Sequence, residues 1–333
     1  MDSTANAMAG LLIGSESDQQ NSSCAEVLWF EIFKRCDNAT LLLAELTCQL
    51  FHRILRTPKF WIEKCKYDGV ALPSVSWRKY VHKEADNTLY NPYDTETLSK
   101  AYAFDYKRIC IGQPFNRNLA ITINSSCTLK YLKQKGMKFR SGGDGIILEH
   151  PPQGIDPDEI SVCFATSYEW CSRYFEIELD KAGVQDWVMD LVRPEITICE
   201  RCICRRDCGA VYMLEAKLLK LDEKLDDRPE DSDDSEDSAA DDSDAVEARK
   251  QKNDPTRYRC AQRRWEELEG GKSWELMEFV FKDYPIGMRK LGVLSQGKDT
   301  HYWAGHYGCK FGATEVHIKL PNTPGLINLQ EDS

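Results

Sequence analysis

The spacing of apolar residues changes near Ile109, and this change constrains the fold more than any other feature of the chain. Within residues 24–66, apolar residues recur every three or four positions, which is typical of amphipathic helices. After Ile109, segments such as 212–218 and 316–320 alternate apolar and polar residues, which is typical of strands with one buried face. At 333 residues the chain has room for about two domains. The sequence therefore predicts an α+β multidomain protein, in which a small all-α module precedes an antiparallel β-sandwich.

The helical module is predicted to span residues 24–66. Asp37 and Asn38 interrupt its apolar pattern as a turn and helix cap would. A module of roughly 40 residues is too small to be stable without a partner or a neighbouring domain. We therefore expect this module to dock on another protein.

The remaining boundaries follow from composition. Residues 1–23 are rich in polar residues and are predicted to be a disordered leader. Residues 67–108 have no assignable periodicity and are described as a linker or bridge. The sandwich is predicted over 109–321, with a helix near 185–191, and a tail follows over 322–333.

A strongly acidic segment interrupts the predicted sandwich, and we interpret residues 222–252 as an acidic disordered loop. Residues 222–247 contain 14 acidic and 2 basic residues, a net charge of −12 in a chain whose total is −11. The rest of the chain is therefore nearly neutral, which argues against nucleic acid as a partner. Ser232, Ser235 and Ser238 lie among the acidic residues and are candidates for phosphorylation.

The sequence predicts a cytoplasmic protein. No stretch approaches the roughly 20 apolar residues of a membrane helix, so no membrane insertion is expected. The 14 cysteines are scattered, and many lie in apolar runs, as expected of free thiols in a reducing compartment. Cys199, Cys202, Cys204 and Cys208 could instead hold zinc, but no second ligand pair follows at zinc-finger spacing.

No catalytic or cofactor-binding fingerprint occurs, so a non-catalytic protein without a cofactor is favoured over an enzyme. The segment 298–308 is more informative, since Tyr302 and Trp303 are adjacent within a polar stretch that contains glycines. Such rings either face a ligand from a loop or pack into the edge of the sandwich. Composition alone leaves both alternatives open.

Several motifs occur in the order of the F-box-associated domain, and the segment that contains Tyr302 and Trp303 closely resembles its end. The resemblance covers about residues 111–321 apart from the acidic insertion. The matching pieces are Pro114-Phe115, Arg117-Asn118-Leu119, Gly143-Asp144-Gly145, the stretch 164–171, Arg193-Pro194, the stretch 205–209, Asp283-Tyr284-Pro285 and the stretch 299–305.

This resemblance implies an antiparallel sandwich of the jelly-roll or galactose-binding-like kind. In the sugar-binding members, loops at one end bind the inner chitobiose of N-linked high-mannose glycans. The matching positions here are Tyr168, Tyr302 and Trp303. Aromatic faces suit the C–H face of a sugar, and phenol hydroxyls can hydrogen-bond its polar groups. The chain departs from the family at Ile146 and Arg201, where Trp is frequent, and Ala304 occupies a position that is Lys in some members.

Residues 24–65 resemble an F-box, the helical module that docks on a Skp-type adaptor in cullin-based ubiquitin ligases. Cys24-Ala25 stands where the family usually begins with Leu-Pro. The docking face is predicted to include five apolar side chains, some of which could instead be buried within the module. They are Val27, Leu28, Ile32, Leu42 and Leu43.

The resemblance thus implies a substrate-recognition adaptor of an SCF-type cullin ubiquitin ligase. It would bind N-glycosylated, misfolded proteins for ER-associated degradation, in a complex with a Skp-type adaptor and a cullin. Two alternatives share the fold: an F-box adaptor that recognises a protein surface without sugar, and a stand-alone cytosolic lectin or chaperone. A zinc-dependent hydrolase is a third alternative, which requires metal at the cysteine cluster.

Overall fold

The protein divides into two compact units. A computed structural model describes residues 14–86, 103–115, 117–156, 159–225 and 242–325. Residues up to Ser74 form the first unit together with Phe104–Gln113, and the remaining residues form the second.

The first unit is helical, as the apolar spacing predicts. Its core contains Phe33, Leu41, Leu55, Phe60 and Trp61. Its helices are α1 (Gly14–Phe33), α2 (Asn38–Ala44), α3 (Gln49–Leu55), α4 (Pro58–Asp68) and α6 (Tyr106–Gly112).

Local chemistry sets the ends of these helices. Asp37 caps α2 by accepting a hydrogen bond from the backbone N–H of Thr40 at 2.9 Å. Gly69 ends α4 in the left-handed conformation with φ of 70°. The predicted turn at Asp37 and Asn38 is therefore a helix N-terminus.

The start and end of this unit differ from the prediction. Helix α1 begins at Gly14, inside the segment predicted to be disordered, because a polar composition argues against burial but not against a helix. Residues 1–13 of that segment lie outside the described residues. The predicted bridge over 67–108 is also partly helical, and helix α6, which begins within it and continues to Gly112, brings Cys110 into the core of the first unit. The sandwich unit correspondingly continues from Pro114 rather than from residue 109.

The second unit contains the predicted antiparallel β-sandwich. Sheet I has the strand order β1-β4-β9-β6-β7, and sheet II has the order β2-β3-β10-β5-β8. The strands are β1 (Lys138–Arg140), β2 (Ile147–Glu149), β3 (Cys163–Ala165), β4 (Cys171–Glu178), β5 (Glu195–Ile203), β6 (Ala210–Leu219), β7 (Tyr258–Trp265), β8 (Glu275–Phe281), β9 (Lys290–Asp299) and β10 (Lys310–Lys319). Helices α5 (Val75–Asp86) and α7 (Leu129–Gln134) and a π-helical turn (Val188–Val192) accompany them.

The apolar alternation in β6 correctly predicts a strand, but its outer face is not open to solvent. All ten residues of β6 are buried. The outer face is covered by helix α8 (Asp242–Lys252), which lies within the segment predicted to be a disordered acidic loop. That prediction is wrong for α8, since Val246 packs against Met213 and anchors the helix to the sheet. Residues 226–241, with the three candidate phosphorylation sites, lie outside the described residues.

A buried ion pair joins the two sheets. Arg173 on β4 and Glu200 on β5 are almost fully buried, and their charged atoms are 2.8 Å apart. The hydroxyls of Thr314 and Ser295 accept hydrogen bonds from the Arg173 guanidinium at 2.7 and 2.6 Å. The Tyr212 hydroxyl donates to Glu200. Because these partners come from both sheets, the network fixes how the sheets stack.

Within the described ranges, no helix combines the length and the apolar composition needed to cross a membrane.

Candidate functional site

Strand pairing brings the predicted site segments together at one end of the sandwich. Tyr168 follows β3, and Tyr302 and Trp303 lie between β9 and β10. The β3 chain continues between those strands: the Thr166 N–H donates to the Cys309 carbonyl at 3.1 Å, and the Asp299 N–H donates to the Ser167 carbonyl at 2.9 Å. The loop of Tyr168 and the loop of Tyr302 and Trp303 are therefore neighbours.

A third segment, which contains Asp144, locks the two loops. The Ser167 hydroxyl donates to the Gly305 carbonyl at 2.8 Å and accepts from the Asp144 N–H at 3.0 Å. The Asp144 carboxylate accepts from the Gly305 N–H at 2.5 Å. These bonds close a ring across three segments that are distant in sequence, so the loops are held in place before any ligand arrives.

Gly143 allows the Tyr168 ring to lie close to this segment. A Cβ added at Gly143 would lie 2.9 Å from Cζ of Tyr168. Gly143 also has a φ of 57°, in the left-handed region that favours glycine. The Gly143-Asp144-Gly145 motif thus supports the ring of Tyr168, which is half-buried.

Tyr302 has a strained backbone, with a φ of 57°. The carboxylate of Asp299 holds it there by accepting hydrogen bonds from the backbone N–H groups of His301 and Tyr302, at 2.8 and 2.5 Å. Asp299 is fully buried, and its other oxygen has no hydrogen-bond partner among the described residues. Strain maintained in this way is common at ligand-binding sites.

Both rings of the Tyr-Trp pair face outward. Tyr302 is 69% exposed and Trp303 is 45% exposed, so packing into the edge of the sandwich does not describe them. Trp303 is nevertheless supported, because His301 stacks on it at 5.2 Å between ring centroids and Tyr307 meets it edge-on at 5.9 Å. The pair forms an exposed aromatic surface, and His301 and Tyr307 support its Trp303 ring.

Arg205 in turn supports the Tyr307 ring. Its guanidinium lies 4.5 Å from the centroid of the Tyr307 ring and forms two 3.0 Å hydrogen bonds to Asp207. The hydrogen bond from Arg205 lowers the pKa of Asp207 to about 2. Asp207 is therefore ionised at neutral pH and holds Arg205 against the ring.

The cysteine cluster does not converge on one point in this structure. The Cys199 thiol donates to Glu278, that of Cys202 to the Glu275 carbonyl, and that of Cys204 to the Cys208 carbonyl. Burial raises the pKa of Cys204 to about 12 and that of Cys208 to about 11. In the described part of the chain, no group of three potential ligands is placed to hold a metal ion.

The residues predicted to dock on an adaptor lie in the first unit and are all exposed. Val27, Leu28 and Ile32 belong to α1, while Leu42 and Leu43 belong to α2. Leu43 is 68% exposed, whereas its neighbour Leu41 is fully buried. Leu46, just after α2, is not among the five predicted docking residues but is also exposed. The unit thus presents aliphatic side chains that its own core does not use.

Sequence reasoning also missed Ser167, Asp299 and the role of Asp144. They act through backbone hydrogen bonds, for which a single sequence contains little signal. The motifs that contain Asp144 and Asp299 were the available indication, because a short polar residue beside a turn often bonds to the backbone.

In comparisons with known proteins, this chain is similar to several F-box only proteins. Residues 110–237 match the family described as "F-box associated region". The chain is 27% identical over 213 residues to F-box only protein 17 of Homo sapiens, and the match covers 64% of each chain. It is 24% identical over 288 residues to human F-box only protein 6, with 85% of this chain and 78% of that protein covered. F-box only protein 44 of Mus musculus is 27% identical over 305 residues, with 89% and 95% covered.

Among solved structures, the chain is similar to a carbohydrate-binding module, TmCBM61, in complex with β-1,4-galactotriose. The TM-score is 0.29 and the identity is 5%, with 60% of this chain and all of that chain covered. The CBM22-1 xylan-binding domain of Paenibacillus barcinonensis Xyn10C gives a TM-score of 0.27 at 9% identity, with 56% and 87% covered. These scores are too low to bear on what this chain binds.

Proposed function

We propose that this chain, which belongs to the F-box only proteins with an F-box-associated domain, is the substrate-recognition adaptor of an SCF-type cullin ubiquitin ligase in the cytoplasm. The match to F-box only protein 17 spans 64% of that relative, while the match to mouse F-box only protein 44 spans nearly the whole relative. Each of the two units has one task in this function.

In this proposal the sandwich recognises the inner chitobiose of N-linked high-mannose glycans. The observation that carries it is the exposed pair Tyr302 and Trp303, presented on a backbone that Asp299 holds in a strained conformation. A ring fixed from behind offers its free face to the C–H groups of a sugar without losing side-chain entropy on binding. Tyr168, on the adjoining loop, contributes a third aromatic group.

The first unit binds the ligase. Exposed aliphatic side chains on α1, on α2 and just after α2 offer an apolar surface to a Skp-type adaptor, and Leu43 and Leu46 are its most exposed members. Charged groups such as Glu31 and Lys34 lie nearby as an ion pair and give the surface a polar rim.

The mechanism requires no acid, base or nucleophile from this chain. The adaptor brings a misfolded glycoprotein close to the ubiquitin-charged enzyme of the complex, which raises the effective concentration of its lysines. Ubiquitination would then direct the glycoprotein to ER-associated degradation. Specificity depends on the sugar site, and the rate depends on partner enzymes.

The test is binding of chitobiose to the purified protein, with Trp303→Ala and a matched control. Tyr67→Ala removes a similarly exposed ring from the first unit and should leave the affinity unchanged. Trp303→Ala should weaken the free energy of chitobiose binding by about 2 kcal/mol or more, as expected for a central aromatic contact.

Failure of the folded wild-type protein to bind chitobiose would contradict sugar recognition. It would favour an adaptor that recognises a protein surface. That adaptor would retain its substrate after enzymatic removal of the glycans.

A further inference from the structure

Helix α8, at the end of the acidic insertion, is anchored to the outer face of sheet I. Among the α8 residues whose side chains are described, Val246 is the buried apolar one, at 6% exposure. It packs in a cluster with Met213, Tyr258 and Cys260. The position of the helix therefore depends strongly on this contact.

An ion pair adds a second anchor. Arg249 donates to the carboxylate of Glu215, which is nearly buried and also accepts from the Tyr258 hydroxyl at 2.8 Å and from the Gln296 amide at 3.0 Å. If Arg249 moved away, the Glu215 carboxylate would lose its cation in a poorly solvated place. The sheet is thus built to receive this helix.

The other end of the insertion is fixed to the same face. Leu225 packs against Tyr174 and Leu219. The Glu223 carboxylate pairs with Lys217 at 3.2 Å and with Arg257. Both ends are therefore attached to sheet I, although the composition suggested a free spacer.

The α8 cluster reaches the candidate sugar site through Trp170. This ring packs against the cluster of Val246 and Met213, and Lys298 lies 5.0 Å from its centroid. Trp170 is two residues beyond Tyr168 in the same short loop. Between them, the Glu169 carboxylate accepts from the Gly143 N–H at 2.8 Å and joins the loop to the Asp144 segment.

We propose that α8 positions the Tyr168 loop for chitobiose binding, with Val246 and Trp170 as the positioning residues. The proposal rests on the proposed function and assigns the insertion a part in it. Docked α8 supports the Trp170 ring from the outer face of sheet I, and the loop then presents Tyr168 beside Tyr302 and Trp303. When α8 detaches, the cluster against which Trp170 packs loses Val246, and the loop becomes more mobile.

The experiment uses the full chain with Val246→Asp, which places a carboxylate in the apolar cluster of Met213, Tyr258 and Cys260 and detaches the helix. Gln251→Asp, at an exposed position of α8, makes the same charge change and is the matched control. Val246→Ile keeps the apolar contact. Chitobiose affinity, amide hydrogen exchange of residues 166–171 and the melting temperature are measured for each variant.

Val246→Asp should weaken chitobiose binding at least about fivefold, the lower end of typical coupling between sites. It should also speed exchange at residues 166–171, while Gln251→Asp and Val246→Ile match the wild type. If Val246→Asp unfolds the sandwich, the milder Arg249→Gln should change affinity and exchange in the same direction.

Wild-type affinity and exchange in a folded variant with a detached α8 would overturn the positioning role. A wild type that binds no chitobiose would contradict the proposed function instead. Exchange at residues 166–171 would still decide the positioning role: faster exchange in Val246→Asp supports it, and unchanged exchange overturns it.

Discussion

Tyr302, in the candidate site, combines an exposed side chain with a strained backbone. Its ring is exposed and its backbone is left-handed, so nothing in the fold of the domain requires a tyrosine there. Asp299 compensates for the strain with two backbone hydrogen bonds. Neither the strain nor this compensation is visible in the sequence, since both depend on the path of the loop after β9.

We expect Tyr302→Asn to stabilise the protein and to remove sugar binding. Asparagine tolerates the left-handed region, so the free energy of unfolding should rise by up to about 1 kcal/mol. Chemical denaturation and a chitobiose titration measure the two effects. A variant that is less stable than wild type and still binds chitobiose would show that Tyr302 serves the fold.

Asp207 gives a pH-dependent prediction. Its pKa is about 2 because Arg205 donates hydrogen bonds to it, whereas an unfolded aspartate titrates near pH 4. A lowered pKa stabilises the folded state above pH 4, and this contribution is lost as the pH falls from about 4 through about 2.

Asp207→Asn should therefore be less stable than wild type at pH 6, with the difference shrinking below pH 3. Asp207 is largely exposed, so the difference at pH 6 should be less than about 1 kcal/mol. Denaturation at the two pH values measures it. If the stability difference between Asp207→Asn and wild type is the same at both pH values, the ionisation of Asp207 does not contribute to stability.

Among the elements, the contact between the sheets depends on a charged pair instead of apolar packing alone. Arg173→Met should cost about 3–5 kcal/mol in unfolding free energy, because Glu200 would stay buried without its cation. The double variant Arg173→Met/Glu200→Gln should lose less unfolding free energy than Arg173→Met alone. Equal losses, measured by chemical denaturation, would show that the guanidinium acts only through its packing.

Strand alternation predicted β6 and β10, but it could not place Arg173 inside the sandwich. A charged residue in a strand is usually predicted to face outward, and the partner that allows its burial lies on the other sheet. Helix α8 was missed for a related reason. Its charged composition resembles a disordered tract, and among its described side chains one buried valine and one ion pair attach it to the sheet.

For the whole molecule, the change of apolar spacing predicted a helical unit and a sandwich, and these are the two units found. The site required more than spacing. Tyr168, Tyr302 and Trp303 came from motifs that resemble a known family, while the roles of Ser167 and Asp299 emerged only from the folded chain. Residues that act through side-chain chemistry leave motifs, but those that hold loops by backbone bonds rarely do.

The central claim is that one chain connects a sugar site to a ubiquitin ligase. The most direct measurement is ubiquitination of a high-mannose glycoprotein by a reconstituted ligase that contains this chain. We predict modification with the wild-type chain, and strong reduction with Trp303→Ala, with Leu43→Asp, or after the glycans have been removed. Undiminished modification of the deglycosylated substrate would contradict the account.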